Sequence, residues 1–319
     1  MVQAVDTGSI TAGAVQSRRA LRRTGTRWVL LFVVPAVALY ALLVLLPILV
    51  TAFNSFFLWD GTTRREFAGL GNYQTVLDGD RGTAFLPALR NNTVFFLLTL
   101  VVEVLPALLL AGLLNNIRRG RRLFQTLYAL PFLISPIVVG YIWLLLLDSN
   151  FGPVSSFMRA VGWDSLAQPW LAQPSTALPT AVVASAWMSI GAPVLIFGAA
   201  LGSVPDEILE AAKLDGAGAW RRFVSVQLSY LRPAITIIIV LDFIGCFKVL
   251  DLVYALGGGS NGGPAGALDT IGLLFYRTAF VEVDNAVGKS GAVAVLMFLL
   301  IFGGALIVQR LLRRWEREA

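Results

Sequence analysis

Histidine is absent from this 319-residue chain, and Cys246 is its only cysteine. Those two gaps together remove Ser-His and Cys-His nucleophilic sites, histidine-bearing metal sites, zinc ribbons and disulfide frameworks. Charge is scarce too, at 14% of residues against 57% hydrophobic ones, and the mean hydropathy is +0.75. Such values lie outside the soluble globular class and describe a polytopic membrane protein whose first partner is lipid. Alternating strand patterns are missing, which argues against a β-barrel. The net charge of +6 falls mostly in short segments beside apolar runs. There it orients a chain in a bilayer and does not mark a nucleic-acid partner.

What remains is apolar length. A hydrocarbon core about 30 Å thick takes roughly 20 helical residues, and six stretches reach that length, near 28–53, 91–116, 123–148, 177–203, 231–255 and 289–311. The first is too long for a secretory signal core and has no clear small-x-small cleavage site. Arg18, Arg19, Arg22, Arg23 and Arg27 precede it against Asp6 alone. Arg118, Arg119, Arg121 and Arg122 lie between the second and third stretches, and Arg310, Arg313, Arg314 and Arg317 follow the sixth. Arginine excess marks the cytoplasmic side. Both termini are therefore expected inside, and the loops 54–90, 149–176 and 256–288 outside. The expected organisation is a cytoplasmic tail over 1–27, an all-α six-span membrane domain over 28–312, and a second cytoplasmic tail over 313–319. Pro35, Pro47, Pro106, Pro131, Pro136 and Pro193 fall inside the spans and leave carbonyls that neighbouring helices must satisfy or cover.

One loop is too long for a turn. EILEAAKLDGAGAWRRFVSVQLSYLRP, Glu207 to Pro233, puts mixed charge and two glycines between the fourth and fifth spans, on the cytoplasmic side by the charge rule. Ser203 or Val204 is placed to cap a helix with Pro205 in its first turn, and Asp206 and Glu207 suit its positive end. That helix is expected to run to about Lys213. Gly216 and Gly218 then turn the chain, and Trp220, Phe223, Val224 and Gln227 share one face of a second short helix, with Arg221 and Arg222 directed elsewhere. Such a pair over 203–233 rests either on headgroups or on a protein. The acids Asp206, Glu207, Glu210 and Asp215 disfavour an anionic leaflet and favour a partner bearing arginines.

These residues also carry a resemblance. Glu210-Ala211-Ala212, Gly216 and Val226-Gln227-Leu228 resemble, in identity and spacing, the EAA loop of binding-protein-dependent ABC importer permeases of the MalF-like, carbohydrate-uptake group. GLGNYQTVL (Gly69 to Leu77), FKVLDLVYALGGGSNGGP (Phe247 to Pro264) and FYRTAF (Phe275 to Phe280) are similar to further signatures of that group, so the likeness covers roughly 28–312. Ser229 stands where the loop pattern has proline. The resemblance implies that the loop docks on a cytoplasmic ABC ATPase dimer, which binds ATP and Mg; this chain needs no cofactor of its own. Glu210 would pair with a basic residue of that ATPase, Ala211 and Ala212 would permit close approach, and Gly216 would hold the turn, with Asp215 and Arg221 beside it. A second, MalG-like permease subunit and an extracytoplasmic solute-binding protein would complete the importer in a bacterial cell membrane. The chain is not expected to be an enzyme. Its single G-K-S, Gly288-Lys289-Ser290, has Val283 where a phosphate-binding loop needs glycine, and reads as the polar start of the sixth span.

Few ionisable groups lie within the spans: Glu103 in the second, and Asp242, Lys248 and Asp251 in the fifth. Each is costly against lipid and should face protein or a water-filled path. Lys248 and Asp251, three apart on an expected helix, read as a self-neutralising pair near the outer surface, and Glu103 as a group bonded within the bundle. The resemblance implies solute contacts from the spans flanking the coupling loop, which by distance from Glu210 brings forward Trp187, Met188, Ser189, Asp242, Cys246 and Lys248. Carboxylates and indoles suit sugars, which offer hydroxyls and ring faces. A glycerol-phosphate-type solute is the alternative within this reading, with Lys248 to attract it. A self-contained secondary transporter or channel is the alternative outside it. The loop Gly257 to Gly263 either meets the binding protein or is slack linker.

Overall fold

The computed structural model describes residues 31–78, 85–115, 117 and 120–317, with only the backbone of Arg121, Arg122, Glu316 and Arg317. Asp6, Arg18, Arg19, Arg22, Arg23, Arg27, Arg118 and Arg119, on which much of the orientation reading rests, lie outside the described residues. The chain divides into two compact units, 1–54 and 55–319. Within the first, the described part is a single helix, α1 (Leu31–Asn54), with a π turn at Ala41–Leu45.

The second unit opens with an antiparallel hairpin, β1 (Phe57–Asp60) and β2 (Thr63–Phe67), where no strand was expected. Asp60-Gly61 supplies its turn chemistry. After the short helix α2 (Gly71–Asp78) comes α3 (Phe85–Asn115), which carries a second π turn at Leu100–Val104. Two bent pairs follow. α4 (Arg121–Ala129) continues through a 3-10 turn to Leu133 and meets α5 (Pro136–Leu146) at 98°. The cause is Pro136, which disfavours helical backbone in the residue before it; Ser135 has ψ 136°. Beyond α6 (Pro153–Ala160), α7 (Pro174–Ser189) and α8 (Gly191–Leu201) bend by 51° across Ile190. Gly191 seats this bend against α4, where a Cβ would run into the Tyr128 carbonyl.

The rest of the unit comprises α9 (Asp206–Leu214), the 29-residue helix α10 (Ala219–Phe247), α11 (Asp251–Leu256), α12 (Ile271–Phe280) and α13 (Ala286–Arg317). Among the described residues, α1, α3, α10 and α13 are long and apolar enough to cross a membrane, with up to six crossings if each bent pair is one span. Three apolar clusters hold the second unit together. Phe95, Val139, Ala181, Leu252 and Leu273 join α3, α5, α7, α11 and α12. Ala107, Phe197, Leu201, Leu231 and Ile235 join α3, α8 and α10. Val76, Phe85, Phe247, Ile271 and Val293 join α2, α3, α10, α12 and α13.

Two expectations are corrected. The fifth stretch does not continue to 255: α10 stops at Phe247, and Lys248 to Leu250 leave the helix before α11 starts. Lys248 and Asp251 thus share no helical face and make no ion pair within 4 Å. The break lasts because side chains from elsewhere satisfy its backbone. Asn92 donates to the Cys246 carbonyl at 2.7 Å, and Thr270 to the Val249 carbonyl at 2.9 Å. Secondly, the expected second short helix of the loop is not separate. Ala219–Arg222, a π turn at Phe223–Gln227, and the stretch through Ser229 and Pro233 form one helix with the rest of α10.

Candidate functional site

The loop forms as its local chemistry requires. Pro205 is the residue capping α9 rather than part of its first turn; Asp206 and Glu207 occupy that turn and Lys213 the last, each matching the helix dipole. The C-terminus closes as a Schellman motif, with Ala217 N–H donating to the Ala212 carbonyl and Gly216 N–H to the Lys213 carbonyl, both at 3.0 Å. This geometry needs the left-handed backbone of Gly216, φ +75°. Arg222 donates to the Ala217 carbonyl at 2.8 Å and ties the turn to α10.

No residue of α9 is buried. Glu210, Ala211, Asp215 and Arg221 are exposed and Ala212 is half-buried. Leu214 is 89% exposed and Trp220, whose ring lies 5.9 Å from that of Phe223, is 68% exposed. Among the described residues, Asp206, Glu207, Glu210 and Asp215 have no ion-pair partner within 4 Å. Acids and large apolar side chains thus stand together on a short, rigidly capped segment.

α10 leads from this turn to a cavity of about 320 Å³. Trp220 and Asp242 are about 33 Å apart along it at 1.5 Å per residue. Met188 and Ser189 of α7, and Asp242, Cys246 and Lys248 at the end of α10, line the cavity together, as the sequence grouped them. Trp187 does not. It is 42% exposed and packs edge-on against Trp143 at 6.2 Å. Asp242 Oδ2 is buried without a hydrogen-bond partner, while Ser189 is committed to the Ser185 carbonyl at 2.7 Å and Cys246 Sγ lies 3.6 Å from Thr99 Oγ1.

Sequence reasoning missed four of the polar lining residues. Thr99, Ser185, Glu103 and Asp251 belong to the same wall. Glu103, expected to be bonded within the bundle, is buried in the π turn of α3 and lines the same cavity as Asp242 and Ser189. The available signal was the cost of a lone carboxyl in an apolar span.

The glycine-rich segment after α11 is not slack. Leu268 N–H reaches the Gly262 carbonyl at 2.8 Å, and Asn91 Nδ2 bonds the carbonyls of Gly266 and Asp269 at 2.9 and 2.8 Å. Arg277 pairs through both its terminal nitrogens with Asp269, at 2.8 and 3.1 Å, and reaches the Ser260 carbonyl at 3.1 Å.

Comparison with known proteins places this arrangement. The probable ABC transporter permease protein YurN of Bacillus subtilis is 28% identical over 291 residues, covering 90% of this chain and 97% of its own. AmyD of Thermoanaerobacterium thermosulfurigenes, a probable permease for starch degradation products, is 30% identical over 86% of this chain and 90% of its own. UgpA of Yersinia pestis, a permease of sn-glycerol-3-phosphate transport, is 30% identical over 79% of this chain and 82% of its own. Among solved structures, a bacterial ABC transporter importing the acidic polysaccharide alginate superposes with a TM-score of 0.79 at 20% identity, covering 93% of this chain and 99% of that one. The fold is therefore that of an ABC importer permease, an integral membrane transport subunit and not an enzyme. The profile described as "Binding-protein-dependent transport system inner membrane component" matches residues 104–317, and the chain belongs to that family.

Proposed function

We propose that this chain is one of two permease subunits that together enclose the path of a sugar or related polyol, driven by a cytoplasmic ATPase dimer and supplied by an extracytoplasmic binding protein. The observation that carries the reading is α9, capped at Gly216, carrying exposed acids and exposed Leu214, and joined through one turn to the helix that reaches the cavity. A state-dependent push on α9 would be delivered along α10 to Asp242, Gly245 and Cys246. Only a contact whose strength differs between the two states of the ATPase does such work, because equal binding to both shifts no equilibrium. In this role Glu210 meets a basic residue of the ATPase, Ala211 and Ala212 let the surfaces close, and ATP and Mg stay with the partner. The six-span count, both termini inside and a bacterial cell membrane location complete the proposal.

Relatives named for starch degradation products and for multiple sugars support a carbohydrate. The name of UgpA and the presence of Lys248 in the cavity wall favour a second reading, a phosphate ester.

The test is a Glu210→Lys chain in membrane vesicles containing the complete importer. Uptake and its coupling to ATP hydrolysis are expected to fall at least ~10-fold at normal insertion, on the scale of removing one partner of a desolvated charge pair. Full uptake by this variant would remove α9 from the mechanism.

A further inference from the structure

Glu103 is the one fully buried carboxyl in the cavity wall, and the importer reading gives it no task. It is 2% exposed in a helix of otherwise apolar neighbours, a costly position for a carboxyl unless the site uses it. Its phase is set by the π turn Leu100–Val104, an interruption frequent at functional sites. Across the cavity Asp242 presents a buried oxygen with no hydrogen-bond partner, an arrangement proteins seldom leave unused. Among the described residues, neither carboxyl has a cation within ion-pair distance. Among the described lining residues, Lys248 is the only basic one; it is exposed at the end of α10, and Asp251 lines the same break.

Resting on the importer reading above, we propose that Glu103 and Asp242 form a carboxyl filter that takes an uncharged, hydroxyl-rich solute and turns away phosphate- or carboxylate-bearing ones. Carboxyl oxygens accept from the hydroxyl donors of a sugar or polyol whether or not one of the two groups holds a proton, and a protonated amino sugar fits the same wall. A phosphate ester would instead bring negative charge and acceptors to a surface offering the same. The filter therefore favours the neutral solute over the phosphate ester among the two readings given for this cavity. It assigns Glu103 to solute selection, a role that neither the loop nor the fold family specifies.

A thiol placed in the cavity reads its field directly. Gly245 is an exposed lining position with nothing within 4 Å of a Cβ built there. Full-length chain carrying Gly245→Cys and Cys246→Ser is co-expressed with its partner subunits. Membrane vesicles are then treated with methanethiosulfonates of similar size and opposite charge, one trimethylammonium-ethyl and one sulfonatoethyl. Relative to free cysteine, the cationic reagent is expected to be favoured by at least ~10-fold, as in clefts lined by one sign of charge, and by no more than about threefold once Glu103→Gln and Asp242→Asn are added. If the double variant does not insert, Glu103→Gln alone is expected to give an intermediate ratio. A parent ratio equal to that of free cysteine, a ratio indifferent to these substitutions, or a thiol closed to both reagents would overturn the filter. Labelling needs no nucleotide. A failed filter therefore leaves the Glu210→Lys result standing, and a failed importer reading leaves the charge ratio standing.

Discussion

Asn92 closes two helix ends at once, and removing its amide should loosen the cavity's outer wall. The residue is fully buried in α3. Its Nδ2 donates at 2.7 Å to the Cys246 carbonyl, which the end of α10 leaves without a helical partner, and its Oδ1 accepts at 2.8 Å from Ile271 N–H in the first turn of α12. Asn92→Leu keeps the volume and strands both groups. Each buried, unpaired backbone group costs about 1–3 kcal/mol, so the pair should cost roughly 4 kcal/mol. For a chain of this size that lowers the unfolding midpoint by roughly 6 °C. Asn92→Asp keeps the acceptor for Ile271, loses the donor and buries charge, so it should be at least as damaging. The assay is thermal unfolding in detergent, followed with the rate at which maleimide labels Cys246, the chain's single thiol beside the stranded carbonyl. A midpoint within about 2 °C of the parent, with unchanged labelling, would refute the idea that these two bonds hold the break.

Further consequences are equally open to measurement. Gly216→Val forces a β-branched residue into left-handed backbone, at about 1–2 kcal/mol or more, and should reduce ATP-driven uptake while the chain still inserts; unaltered uptake would mean the Schellman turn is not required. Asp269→Asn leaves Arg277 largely buried beside a neutral partner, costs about 3 kcal/mol, and should expose the Gly257 to Gly266 segment to limited proteolysis; a cleavage pattern like the parent's would contradict the clamp. Gly191→Ala pushes a methyl into the Tyr128 carbonyl and should destabilise the chain by about 1–3 kcal/mol in detergent melts, whereas a neutral result would show that the α7–α8 bend can relax.

Apolar length was enough to locate the long apolar helices and the bent pairs, because a bilayer leaves few other solutions for such runs. The loop was legible for a similar reason. The C-terminal end of α9 is local, so Lys213 and Gly216 announce it from sequence alone, whereas the N-cap lies at Pro205 and not at Ser203 or Val204. The ends of α10 were not legible. Nothing in Phe247-Lys248-Val249-Leu250-Asp251 breaks a helix; the break exists because Asn92 and Thr270, about 150 and 20 residues away, bond the carbonyls it frees. Glu103 escaped for a related reason. A helical wheel assumes 3.6 residues per turn, and the π turn at Leu100–Val104 resets the phase at that residue. Trp187 illustrates the converse error, since its neighbours Met188 and Ser189 line the cavity and its own ring turns to Trp143.

The account stands or falls on whether a separate ATPase takes hold of α9. Hydrogen–deuterium exchange over Asp206–Leu214 tests this most directly, since no residue there is buried in the chain alone and its amides should exchange quickly. Adding nucleotide-bound ATPase is predicted to slow exchange in this segment at least ~10-fold, with the Glu210→Lys chain showing far less protection. Exchange unchanged by the ATPase, in a complex that still transports, would contradict the account.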